Sequence, residues 1–233
     1  MAVAYDNSAV VDDFGAVSLT TPSFTIAGSN RAACLGLTHF GSISAISGSC
    51  GGQSASAISG ASLNEGTDYI ELWKVIAPAT GSQTASMSWT TNRSCSLSVI
   101  TFTGVDQTTP FDGGTANSTA FGTTVSVSVT STSGDMTTTC CMDDNADSGK
   151  TSSQTKKTFG FGCGDIGPGT GTTSHLWTTG GATTMVVAGA NAKAAGGGAS
   201  TTRGTPFGHC GTAFAGGRAL QGILQAPVMR IAA

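Results

Sequence analysis

Residues 123–130 read TTVSVSVT, and they carry the clearest structural signal in the chain. Val125, Val127 and Val129 alternate with Ser126 and Ser128, so one side of this segment is apolar and the other carries hydroxyl groups. Successive side chains of a β-strand point to opposite faces, whereas an amphipathic helix needs apolar residues three and four positions apart. The alternation therefore predicts a strand with one buried face.

The same pattern extends to other parts of the 233-residue chain. In residues 84–89, TASMSW, the apolar residues Ala85, Met87 and Trp89 alternate with hydroxyl residues. Four further segments, 32–37, 69–76, 97–102 and 185–188, are apolar at nearly every position, which is typical of central strands covered on both faces. No window has sustained helical spacing, so at most one short helical turn is expected. We predict an all-β, jelly-roll-like antiparallel β-sandwich.

Three finer predictions concern local structure and domain organisation. The apolar phase slips by one residue between Leu97 and Phe102, which predicts a β-bulge near Val99. The glycine-rich segments 164–171 and 192–198 are predicted to be flexible connections between strands. The sequence shows no clean internal repeat and no shift in composition, so residues 1–233 are predicted to form a single domain.

The composition limits the kinds of partner. Charged residues make up 10% of the chain and the formal net charge is −3, while Gly, Ser and Thr are abundant. A weakly charged surface of this kind repels copies of itself little and suits dense packing against a partner. Apart from Lys156 and Lys157 there is no basic cluster, so nucleic acid is not an expected partner. The first fifteen residues lack the features of a signal peptide and no later run has the length of a membrane span, so we expect cytoplasmic synthesis and no membrane partner.

The seven cysteines are odd in number and lack a paired CxxC arrangement. We predict that they are reduced thiols that pack as small apolar side chains, with a disulfide formed after release from the cell as the alternative. They are Cys34, Cys50, Cys95, Cys140, Cys141, Cys163 and Cys210.

Several strings, taken in order, resemble a β-sandwich domain family of phage structural proteins and bacterial surface proteins. They are SNR at 29–31, the strand and turn from Trp73 through Pro78 to Gly81, FTGVDQTTP at 102–110, and a last apolar strand at 223–227 that ends in Pro227. FTGVDQTTP is the most specific of these strings. The resemblance implies a sandwich fold without a catalytic constellation, and a role as a virion component such as a capsid decoration protein, or as an adhesive module.

The motif residues also have interpretations based on their own chemistry. Gly104, Asp106 and Pro110 follow an apolar strand, which predicts a structured turn in which Asp106 caps backbone amides and Pro110 ends the strand pairing. Asn30 and Arg31 precede a strand, where they are expected either to orient a loop or meet a neighbour's carboxylate, or simply to be solvated.

The residues that can bind metals or phosphate form no convincing site. His39, His175 and His209 have no partners at zinc-binding spacing, although Cys210 is adjacent to His209. The acidic segment 143–149 imitates part of a calcium loop but lacks the Gly and Glu of an EF-hand, which leaves a looser Ca²⁺ site or a solvated loop. Gly149-Lys150-Thr151 imitates the end of a phosphate-binding loop by chance, because carboxylates would face the phosphate.

Tryptophans and serines give no stronger indication of catalysis. Trp73, Trp89 and Trp177 are predicted to pack in the core, with a sugar-binding face as the alternative. The sequence has neither a GxSxG motif nor paired carboxylates on matched strands, so it does not indicate a hydrolase. No catalytic, cofactor-binding or metal-binding residue and no cofactor is therefore predicted.

The sequence as a whole favours a non-enzymatic structural protein of a bacteriophage virion, of the capsid decoration or cement type. Its expected partners are the major capsid protein or another virion protein and copies of itself, with a trimer as one arrangement. The alternative is a carbohydrate-binding or host-adhesion module of a tail fibre or a cell-surface protein.

Overall fold

The computed structural model describes residues 1–145 and 149–196. Every regular element in these residues is a β-strand, and every strand pairing is antiparallel. The predicted all-β, jelly-roll-like sandwich is thereby confirmed. The described residues contain no helix, and thus none with the length and apolar character to cross a membrane.

The first half of the chain supplies nine strands. They are β1 (Ala4–Thr20), β2 (Phe24–Ile26), β3 (Ala32–Phe40), β4 (Ser47–Cys50), β5 (Gln53–Ser54), β6 (Ser56–Glu65), β7 (Asp68–Ile76), β8 (Gly81–Gln83) and β9 (Ala85–Thr103). Seven of them form the first sheet in the order β5-β4-β9-β3-β7-β6, with β1 also paired to β9, while β2 and β8 pair separately.

The second half supplies six strands, which form the second sheet. They are β10 (Phe111–Thr130), β11 (Met136–Asp143), β12 (Thr151–Ser152), β13 (Thr155–Lys156), β14 (Cys163–Pro168) and β15 (Thr172–Ala192). The order is β10-β15-β11-β14-β13, and β12 pairs with the first part of β15.

The two sheets repeat one topology. In the first sheet the neighbouring strands are β1-β9-β3-β7-β6, and the short β4 pairs with the start of β9. In the second sheet the neighbouring strands are β10-β15-β11-β14-β13, and the short β12 pairs with the first part of β15. The strands of each set follow the same order along the chain. The structure thus contains an internal repeat of strand arrangement that the sequence does not reveal.

Three clusters of buried apolar side chains stabilise the two sheets. The cluster between the sheets combines Ile70, Leu72 and Phe102 of the first sheet with Met142 and Val186 of the second. The outer face of each sheet encloses a further cluster, one around Leu35, Leu97 and Trp89 and one around Trp177 and Val127. Each sheet is therefore covered on both faces over part of its area, which explains the continuous apolar segments in the sequence.

The predicted bulge near Val99 is wrong. Val99 pairs in register with Leu35 of β3 and with Ala9 of β1, and the nearest register shift lies in β1, between Tyr5 and Ser8, opposite the pair Phe102 and Ile100. Leu97 and Val99 belong to the outer cluster, whereas Ile100 and Phe102 belong to the cluster between the sheets. Because both faces of β9 are buried here, the apparent slip is ordinary alternation between two apolar faces.

The prediction of a flexible connection at 164–171 is also wrong for most of its length, because Cys163–Pro168 is strand β14. A Cβ atom at Gly167 would lie 2.8 Å from Thr137 Oγ1, so glycine is required here by close packing between strands. In the other glycine-rich segment, β15 ends at Ala192 and Ala194 forms an isolated bridge with Val105. Residues 197 and 198 lie outside the described residues, as does the last strand predicted at 223–227, so neither that strand nor a single domain over 1–233 is tested.

Candidate functional surfaces and sites

The motif strings that are distant in sequence meet in one cluster of loops. Gly104 N donates a hydrogen bond to Ser29 O at 3.1 Å, and Val105 N donates to Asn30 O at 2.8 Å. Asn30 and Gly104 both have positive φ, 51° and 72°, which allows the two loops to approach each other. SNR and FTGVDQTTP are therefore parts of one structural unit.

Arg31 joins the third motif to this unit. Its Nε donates to Pro78 O at 2.8 Å and its Nη1 donates to Gly28 O at 2.8 Å. The carbonyl oxygen of Arg31 in turn accepts a hydrogen bond from Gln107 Nε2 at 3.2 Å. Of the three interpretations that the sequence leaves open for Arg31, these contacts support loop orientation.

The turn predicted at 104–110 is confirmed. Asp106 Oδ1 accepts hydrogen bonds from Thr108 N at 2.7 Å and Thr109 N at 3.0 Å, and these two bonds lower the pKa of the Asp106 carboxyl. The role predicted for Pro110 is wrong, because the pairing of β9 already ends at Thr103 and Pro110 immediately precedes the first residue of β10. The most specific motif in the chain thus has a structural explanation.

A buried polar network in the second sheet has the outline of a catalytic triad, which the sequence did not indicate. His175 Nδ1 lies 2.8 Å from Asp165 Oδ1, and His175 Nε2 lies 2.9 Å from Thr137 Oγ1. Asp165 also accepts hydrogen bonds from Ser152 and, at 2.6 Å, from Thr139. Acid, histidine and hydroxyl stand in the order that nucleophilic catalysis uses.

Burial argues for a structural role of this network. Thr137, Asp165 and His175 are all fully buried. Gly167 packs beside Thr137 Oγ1 so closely that even an added Cβ atom would lie 2.8 Å from this oxygen. A nucleophile needs room for a substrate atom about 3 Å away, within reach of the attacking oxygen. The network satisfies the buried polar groups of adjacent strands instead.

The tryptophans do not form an exposed sugar-binding platform. Trp177 is fully buried and its Nε1 donates to Thr139 Oγ1 at 2.9 Å, and the buried Trp89 donates to Ala16 O at 3.1 Å. Trp73 is half-buried and packs against the outer cluster of the first sheet. The predicted core packing is confirmed for Trp89 and Trp177.

The six cysteines within the described residues are buried free thiols. Burial raises the pKa of Cys50, Cys95 and Cys140 to about 12, so these sulfur atoms stay protonated and pack as apolar groups. The predicted packing role is therefore confirmed for the six, and Cys210 and the adjacent His209 lie outside the described residues.

The remaining metal and phosphate predictions have different outcomes. Lys150 of the Gly149-Lys150-Thr151 sequence is buried and donates to Asp143 Oδ1 at 3.0 Å, which fits a structural ion pair. Residues 146–148 of the predicted calcium loop, including Asp147, lie outside the described residues. His39 is buried and stacks on Tyr69 at 4.9 Å, and burial lowers its pKa. Within residues 1–145 and 149–196 no three His, Cys, Asp or Glu side chains converge as ligands of one metal ion.

An uncharged, exposed surface lies where β1, β4 and β9 run side by side. Ser88 is opposite Ser18 of β1 and Ser47 of β4, and Ser86 is opposite Thr20 and Ser49. Opposed residues of antiparallel strands share a face, so these six side chains form one array, which we call the first hydroxyl face. Its members are the exposed Ser18, Thr20, Ser47 and Ser88 and the half-buried Ser49 and Ser86.

The equivalent strands of the second sheet carry a second array of the same kind. On β10 and β15, Ser126 is opposite Leu176, Ser128 opposite Ser174 and Thr130 opposite Thr172. We call this array the second hydroxyl face. Its members are Thr124, Ser126, Ser128, Thr130, Thr172, Ser174, Leu176 and Thr178, of which all but the half-buried Thr178 are exposed.

Three phenylalanines are exposed in addition to these faces. Phe14, Phe121 and Phe159 have 71%, 79% and 66% of their surface open to solvent. Contact of each of these apolar rings with water is unfavourable in the isolated chain, and aromatic side chains are favoured anchors in protein interfaces.

Comparisons of the chain with protein families, with curated proteins and with solved structures found no match. The resemblance carried by SNR and FTGVDQTTP therefore stays a prediction about the family. The functional argument rests on the surfaces and networks described above.

Proposed function

We propose that the protein is a non-enzymatic structural domain that acts by burying its hydroxyl faces against partner proteins, and that the assembly is a bacteriophage virion. The observation that carries this proposal is the presence of two exposed, uncharged hydroxyl faces at equivalent positions of the two sheets. The partners are the major capsid protein or another virion protein, together with further copies of this chain, in the manner of a capsid decoration or cement protein.

Hydrogen bonding within the first hydroxyl face favours its burial. Ser47 Oγ lies 2.9 Å from Ser88 Oγ, and Ser49 Oγ lies 3.1 Å from Ser86 Oγ. A hydroxyl group that already has a partner loses less on removal from water than an unpaired one. The face contains no charge that a partner would need to neutralise, so it suits a flat contact with another weakly charged surface.

Mass action supplies the mechanism. A protein that binds the assembled shell, and has no affinity for its separated subunits, shifts the equilibrium towards the shell. The carbohydrate-binding alternative has less support, because the tryptophans proposed for a sugar platform are in the core or packed against it.

The proposal is tested by adding purified protein to phage shells that lack it. We expect saturable binding and a higher melting temperature of the shells. Ser88→Lys places a charge in the centre of the first hydroxyl face and should weaken binding by at least tenfold, since an unpaired buried charge costs more than about 1.4 kcal/mol.

Ser133→Lys, on an exposed turn between β10 and β11, introduces the same change outside both faces and serves as the matched control. It should bind like the unaltered protein. Absence of binding by the unaltered protein would contradict the proposal. So would equal binding by three variants: Ser88→Lys, Ser133→Lys, and Ser128→Lys in the second hydroxyl face.

A further inference from the structure

A buried carboxyl group at the start of β7 has no hydrogen-bonding partner among residues 1–145 and 149–196. Asp68 is fully buried, and neither of its carboxylate oxygens accepts a hydrogen bond from any described residue. An ionised carboxylate that is removed from water is stable only when a donor or a cation compensates its charge. A proton or a cation at Asp68 would compensate this charge.

The groups around Asp68 add to the negative charge. The carboxyl group of Asp144 lies close enough to share a hydrogen bond with Asp68 when one of the two is protonated, and Asp143 and Glu65 contribute further negative charge. Burial first, and then these acidic neighbours, raise the pKa of Asp68 to about 8.

The donors in this region bond to the other acids. Lys150 Nζ donates to Asp143 Oδ1, and Ser118 Oγ donates to Glu65 Oε2 at 2.8 Å. Asp68 and Asp144 are thus two neighbouring carboxyl groups, one fully buried and the other exposed to solvent.

We propose that Asp68 and Asp144 bind a hard divalent cation, Ca²⁺ or Mg²⁺, between the first and the second sheet. Mg²⁺ is commonly held by one or two carboxylates while it keeps several waters, and Ca²⁺ accepts a flexible set of oxygen ligands. Two protein carboxylates suffice for such a site, with water and backbone oxygens as the other ligands. The exposed Asp144 gives the ion a route from solvent.

The backbone holds the two ligands in place on different sheets. Asp68 pairs with Phe40 of β3 and Glu65 of β6, whereas Asp144 N donates to Thr184 O of β15 at 3.0 Å. A bound cation would therefore join the two halves of the sandwich and stabilise their packing. This inference is independent of the proposed partners, because it concerns the stability of the isolated chain.

The test is thermal unfolding of the full chain after treatment with EDTA. At pH 8 we expect CaCl₂ or MgCl₂ to raise the melting temperature by about 3–6 °C, relative to NaCl of equal ionic strength, when the free cation is about tenfold above its dissociation constant. Separate titrations with each cation identify which one binds. Isothermal titration should show one site, with weaker binding at pH 5 because protons compete for the carboxylates.

Asp68→Asn and Asp144→Asn should each abolish both the calorimetric signal and the temperature shift. Asp144→Asn changes an exposed residue, so it keeps the test informative if Asp68→Asn does not fold. Asp13→Asn, at an exposed position of β1, is the matched control and should respond like the unaltered chain. The proposal is wrong if neither cation binds the unaltered chain, or if the Asp144→Asn variant responds to the same extent.

Discussion

Asp165 is the residue on which the buried network of the second sheet depends. It accepts hydrogen bonds from Ser152, Thr139 and His175, and both it and His175 are fully buried. Asp165→Ala removes the common acceptor and leaves these three donors without the carboxylate to which they donate. We expect it to lower the free energy of unfolding by about 3–5 kcal/mol, measured by urea denaturation. Asp13→Ala serves as the exposed control, and an equal effect of the two changes would show that the network does not stabilise the fold.

The buried cysteines give a second prediction about single residues. Because burial raises the pKa of Cys50, Cys95 and Cys140 to about 12, their thiolate forms are scarce at pH 8, and the folded chain also shields them from reagents. Iodoacetamide should modify the six described cysteines at least a hundredfold more slowly in the native protein than in guanidinium. Mass spectrometry of peptides measures this for each site. Rapid alkylation of Cys140 in the native state would contradict its placement between the sheets.

Single residues also show what the sequence could predict. The sequence correctly predicts the capping role of Asp106, because the backbone amides that bond to it lie two and three residues away. Asp68 and the Asp165–His175 contact were not predicted, because they depend on which strands become neighbours. Contacts between residues that are close in sequence can be predicted from the sequence alone. Contacts between strands and between sheets can be predicted only when the strand order is known.

Strand β14 shows how an element can be misread. Its glycines indicated a flexible connection, but Gly167 is packed so closely that a Cβ atom would meet Thr137 Oγ1 at 2.8 Å and Thr173 Cγ2 at 2.9 Å. The sequence reveals the absence of a side chain, but not whether a loop or a neighbouring strand is the reason. For β9 the bulge was wrong because both faces are buried, so that even the polar residues Ser98 and Thr101 lie in the interior and do not mark a solvent-facing side.

Glycine substitutions test this account of β14. Gly167→Ala should lower the free energy of unfolding by about 1–3 kcal/mol, because the added methyl group must displace packed atoms. Gly180→Ala, in β15, is the matched control: a Cβ atom there meets nothing within 4 Å, so the change should be neutral within about 0.5 kcal/mol. Both values follow from urea denaturation, and a neutral Gly167→Ala would show that β14 is not packed as described.

At the scale of the whole fold, the described residues form a sandwich of two large sheets with one repeated strand arrangement. Alternation of Val125 to Val129 and of Ala85 to Trp89 correctly predicted the all-β class, since that class depends only on the period of burial. The repeat stayed hidden because strand order is fixed by pairing between distant segments, which the spacing of residues does not encode. The paired hydroxyl faces follow from the same repeat, and they could be recognised as two surfaces only after the strands had been placed.

Quantitative mass spectrometry of purified phage particles from the source tests most directly whether the protein is a structural component of the virion. A structural protein that covers a shell through repeated contacts must be present in many copies, at a fixed ratio to the major capsid protein. We expect this chain at such a stoichiometric ratio in particles washed with salt. Its absence from the particles, or its presence only in traces that vary between preparations, would contradict the account.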